Sequence, residues 1–74
     1  MLNINGINWR VLLVSSNHPM LQRNNGDWAL GACIYDNKTI YICDNLSQSK
    51  MKKVLCHEIT HAAMFSYNVS LSID

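Results

Sequence analysis

Seventy-four residues suffice for one small domain, and 49% hydrophobic against 15% charged residues marks a folded globular chain, not a disordered one. A net charge of +1, with no basic patch carrying interleaved aromatics, argues against a nucleic-acid partner. No apolar run approaches the roughly 20 residues that cross a bilayer, which argues against a membrane partner.

Cys33, Cys43 and Cys56 are odd in number and lack the spacing of a disulfide framework. The opening Met1-Leu2-Asn3-Ile4-Asn5 has no basic segment followed by an apolar one, so no signal peptide is expected. Together these imply a reducing, cytoplasmic setting.

The first apolar run, Ile7 to Val14, reads as a strand, with Ile7, Trp9, Val11 and Leu13 on one face. Ser15 to Asp27 reads as a loop with room for a short helical turn; it holds His18-Pro19 and the turn signal Asn24-Asn25-Gly26-Asp27. Trp28–Tyr35 and Thr39–Cys43 read as a hairpin joined at Asp36-Asn37-Lys38. That three-residue loop pairs Ile34 with Ile40 and Ala32 with Ile42, giving one apolar face. It also sets Cys33 diagonal to Cys43, which argues against a disulfide between them.

A helix is expected from Gln48 to Tyr67. Ser47 is a suitable N-cap, Leu46 can staple onto Met51, and Asn68 can take the left-handed conformation that ends it. At about 100° per residue, Met51, Val54, Leu55, Ala62, Met64 and Phe65 share one side. Ser49, Lys52, Thr60, Ser66 and Tyr67 take the other. His57, Glu58 and His61 fall within the apolar arc, an expensive place for imidazoles and a carboxylate. The run Lys50, Lys52 and Lys53 reads as a solvated helix face.

Those three residues form His57-Glu58-Ile59-Thr60-His61, a His-Glu-x-x-His pentad. Residues four apart on a helix have Cβ atoms about 5–6 Å apart, so both imidazoles can aim a nitrogen at one zinc ion. Glu58, one residue round the helix, can reach a water there without becoming a ligand and serve as the general base. Zinc would also help a domain this small, which buries only about 60% of its unfolded surface. By composition alone such a pentad arises in a chain this short on the order of a few times per thousand. The plainer reading is a helix with two satisfied core histidines and a buried glutamate.

The pentad resembles that of the zincin metallopeptidases. With Thr39-Ile40-Tyr41-Ile42 before it and Lys53-Val54-Leu55-Cys56 leading into it, the stretch from Gly31 to Ala63 is similar to the small gluzincin-like and ImmA/IrrE-type enzymes of phages and mobile elements. The resemblance implies His57 and His61 as zinc ligands, Glu58 as catalytic base, and Trp28–Tyr35 as the strand that holds extended substrate. Gly31 would then allow close backbone approach, or would be a packing concession. The chain departs from the metzincin extension, having Met64 and Tyr67 where Gly and His would stand. The third acidic ligand that such enzymes take from a later helix is also missing, with Asp74 the only late candidate and Asp36 and Asp44 placed in turns. A continuation of the chain is the preferred source; another copy or a partner, making a homo-oligomer or a complex, is the second; a degenerate site is the third. Cys56 is expected in packing and His18 in a loop, while Tyr41 and Tyr67 are candidate oxyanion donors.

The expectation is therefore a single α+β domain over residues 1–74, a minimal zincin-like core without a C-terminal helix. A small, mostly antiparallel three-stranded sheet packs against one long active-site helix. Its activity is zinc-dependent hydrolysis of a protein or peptide substrate; the alternative is a non-catalytic, truncated zincin-like interaction module with weak or no metal binding.

Overall fold

In the computed structural model, which describes residues 2–23 and 25–68, the chain is an α+β fold with a four-stranded mixed sheet and one helix. Strands β1 (Leu2–Ile4), β2 (Ile7–Val14), β3 (Gly31–Ile34) and β4 (Thr39–Cys43) precede helix α1 (Gln48–Tyr67), and a 3₁₀ turn spans Pro19–Leu21. The sheet order is β1-β2-β4-β3. β1 pairs antiparallel with β2, β3 antiparallel with β4, and β2 parallel with β4.

This corrects the expected three-stranded, mostly antiparallel sheet. The extra strand β1 was signalled by Asn5-Gly6, whose φ angles of 50° and 83° suit the tight turn of a two-residue hairpin. The parallel pairing has no local signal, because the connection from β2 to β4 passes through the whole of β3.

The hairpin register also differs from the expectation. The turn has four residues, Tyr35 to Lys38, so Ile34 faces Thr39 and Cys33 faces Ile40. Lys38 adopts a left-handed φ of 53°, and its backbone N–H donates to the Tyr35 carbonyl at 3.1 Å. Its ammonium also returns to that carbonyl at 2.8 Å and lies over the Tyr35 ring. A slip of one residue exchanges the faces of a strand. Cys33, Ile40 and Ile42 therefore face the helix, while Ala32 and Ile34 join Tyr41 and Cys43 around Leu21 on the other side. Cys33 and Cys43 are both free thiols. β3 is shorter than expected, and Trp28 and Leu30 before it are exposed.

Helix α1 ends where the sequence predicts. Ser47 accepts from the Lys50 backbone N–H at 3.2 Å, Leu46 and Met51 both pack on the core, and Asn68 closes the helix at φ 54°, ψ 46°. The buried stripe is Glu58, Ala62 and Ser66, four residues apart. Ser66 thus lies on the inner face, not the outer one expected of it. The reason is Trp9, fully buried on β2, whose indole N–H donates to the Ser66 hydroxyl at 2.8 Å. Asn5 donates to the Ser66 carbonyl at 3.0 Å, tying the end of α1 to the first hairpin. Along β2, Ile7 and Trp9 join this core, but Val11 and Leu13, on the same face, are 41% and 60% exposed.

Candidate metal centre

One turn of α1 separates His57 from His61, and the rings meet edge to face with centroids 4.8 Å apart. Their Nε2 atoms are 3.2 Å from one another. Two nitrogens each about 2.0–2.1 Å from a tetrahedral zinc lie roughly 3.3 Å apart, so this pair fits two corners of such a site. At the same distance one ring can donate to the other when their tautomers differ. His57 is exposed and His61 half-buried. They stand on the open rim of the helix and not inside its apolar arc, since β3 is the edge strand on that side and, among the described residues, no further strand lies beyond it.

Glu58 differs. It is 7% exposed and lies against Gly31 of β3. A Cβ at Gly31 would come within 2.7 Å of Val54 Cγ1, 3.1 Å of Glu58 Cγ and 3.3 Å of Glu58 Oε2. Gly31 is therefore a packing concession to the helix: without a side chain there, α1 can sit low enough on the strand for Glu58 to reach the cleft. Burial raises the Glu58 carboxyl above the ordinary carboxylate range, an effect that His61, His57 and Arg23 partly offset. Cys33, on the same side of β3, has its thiol pushed up to about 12 by burial first and by Glu58 second.

An open cleft of about 580 Å³ runs between the 3₁₀ segment and the helix, with Met20, Arg23, Gly31 and Cys33 on one wall and His57, Glu58, His61 and Phe65 on the other. Phe65, expected in the core, is 43% exposed at its edge. Neither Cys33 nor Arg23 was legible as a site residue. Cys33 would have been found from the true hairpin register; Arg23, within an irregular loop, gave no signal.

The remaining candidates separate from the site. Among the described residues no group of three or more His, Cys, Asp or Glu side chains is placed to hold a metal. Asp36 and Asp44 are exposed in turns. Asp74 lies outside the described residues. Tyr41 is buried on the other side of the sheet, where its hydroxyl accepts from Asn37 at 3.0 Å and its ring stacks with His18. Tyr67 is 58% exposed and lines neither wall of the cleft. Cys56 is exposed, so it does not pack as expected, because among the described residues no layer covers the outer side of the helix. His18 is a loop residue that caps the 3₁₀ turn, its Nδ1 accepting from Met20 N–H at 3.1 Å.

The donor set suits zinc in part: two imidazole nitrogens at the right spacing, against the three protein ligands that catalytic sites hold. Among the described residues no helix is long and apolar enough to cross a membrane. Comparison with models of protein families, with curated proteins and with solved structures finds no match to this chain.

Proposed function

We propose that the chain is the core of a cytoplasmic zinc metallopeptidase of the zincin type, similar to the small gluzincin-like enzymes. The observation that carries this reading is the 3.2 Å approach of the His57 and His61 Nε2 atoms, with Glu58 lining the same cleft. His57 and His61 would hold the ion, which would supply Lewis acidity toward water and the scissile carbonyl. Glu58 would accept the proton released by water as it attacks and return a proton to the leaving amine. In the zinc-free chain burial holds this carboxyl above its ordinary range, which favours proton uptake. A third ligand would come from outside the described residues, on this chain, a second copy or a partner.

A second reading is favoured by the absence of a third donor among the described residues. In it the chain is a non-catalytic module that kept the helix and lost the metal. Metal analysis of purified protein separates the two. The peptidase reading expects about one zinc per chain, lost in His61→Ala. It further expects that Glu58→Gln retains zinc but no longer cleaves an unfolded protein substrate. No zinc after zinc-replete preparation would sink it, and so would undiminished cleavage by Glu58→Gln.

A further inference from the structure

A second open cleft, of about 260 Å³, adjoins the first over Gly31, His57 and Glu58 and runs on toward the start of α1. Arg23, Lys50 and Lys53 line it. Among the described residues Glu58 is the only acidic side chain on the walls of either cleft. Half of the chain's six Lys and Arg residues thus gather at one place, although the net charge is only +1.

That placement is unfavourable for the helix. Lys50 and Lys53 stand in the first two turns of α1, where the macrodipole is already positive, and the first turn holds no acidic residue to offset them. Lys52, between them in sequence, lines a different depression with Gln48, Met51 and Leu55. All three lysines are exposed, as a solvated face requires, but they divide between two depressions: Lys50 and Lys53 line the cleft that Arg23, from a distant loop, also lines. Beneath them lie Ala29, Leu30 and Gly31, leading into β3, an edge strand that has one strand neighbour among the described residues. An edge strand offers free backbone donors and acceptors to an extended peptide.

We infer that the Arg23–Lys50–Lys53 cleft is a specificity subsite that takes the carboxylates of an acidic peptide segment laid along β3 beside the histidine pair. The inference rests on the peptidase reading for what becomes of the peptide, but the binding does not need turnover. A nucleic-acid strand fits less well: its phosphates follow a line of cations over an extended surface, whereas these three line one small cleft beside an edge strand.

Fluorescence anisotropy tests it with two short fluorescein-labelled peptides of the same length, one alternating Glu and Ala, the other with every Glu replaced by Gln. Both are titrated with the full chain, zinc-free and zinc-loaded. The Glu peptide is expected to bind about tenfold more tightly, the difference shrinking at high salt. Lys53→Glu and Lys52→Glu change the net charge equally, and both place an acidic residue near the positive end of α1, so both variants fold. Lys53→Glu is expected to remove most of the preference and Lys52→Glu to leave it within about twofold. Equal affinity for the two peptides would overturn the inference. Equal weakening by the two variants would do so as well, as would tighter binding of a labelled single-stranded oligonucleotide. Because no cleavage is read, absence of zinc or of hydrolysis defeats the peptidase reading alone.

Discussion

The two ends of α1 are held to the sheet in contrasting ways. At the C-terminal end, Ala62 is fully buried against Trp9, Ile40 and Ile42, and Ser66 takes hydrogen bonds from Trp9 and Asn5. From the middle toward the N-terminus, the helix presents exposed His57, half-buried His61, a buried carboxylate and two lysines at the wrong end of its dipole. The first region is fixed by buried side chains and hydrogen bonds; the second packs on the core through Met51, Val54 and Leu55 while carrying polar groups that cohesion does not require. That division is the pattern expected where a scaffold supports a site.

The comparison can be broken from either end. The largest effect is expected at Trp9: Trp9→Ala removes the fully buried ring and its bond to Ser66, and should cost about 3–5 kcal/mol, enough to unfold a domain this small. Circular dichroism during urea denaturation reads it, and a variant as stable as the parent would show that the anchor is misplaced. Next, Gly31→Ala forces a methyl group against Val54 and the Glu58 carboxylate, at an expected cost of about 1–3 kcal/mol. The same variant should weaken zinc binding less than His61→Ala does, since the atoms nearest an added methyl group belong to Val54 and Glu58 and not to a ligand.

In the opposite direction, Glu58→Gln should stabilise the zinc-free protein, by about 1 kcal/mol at neutral pH. The sign follows from the raised carboxyl. At acid pH, below the unfolded-state pKa, Glu58 is protonated in both states and the substitution is nearly neutral. As pH rises toward the folded-state value, the unfolded chain ionises first and the parent loses stability relative to the variant; above that value the gap stays constant. Denaturation at acid and neutral pH in the presence of a chelator would reveal it, and a gap that closes as pH rises would refute the assignment. The smallest effect is kinetic. With its thiol pushed up to about 12, Cys33 should alkylate far more slowly at mildly alkaline pH than exposed Cys56, and peptide mapping after brief treatment should find the label on Cys56.

The extent of α1, both its caps, the strands Ile7–Val14 and Thr39–Cys43 and the convergence of His57 and His61 were all legible in the residues. Each depends on interactions within a few positions of the chain: a hydroxyl on a free N–H, a left-handed asparagine, or side chains one helical turn apart. The hairpin register was legible only to within one residue, because it turned on whether Lys38 would fold back onto Tyr35. The inner face of the helix was misjudged at Ser66 because its partner, Trp9, lies 57 positions away.

What the sequence by itself determined is therefore local: one long capped helix, two of the strands, and a pair of imidazoles with a carboxylate beside them. Only tertiary structure decided that β2 and β4 run parallel, that Gly31 admits Glu58 to the cleft, and that Arg23 lines one cleft with Lys50 and Lys53. Those outcomes depend on which distant segments share the sheet and how closely the helix can approach it. That is settled by packing among residues far apart in the chain, where short-range periodicity carries no information.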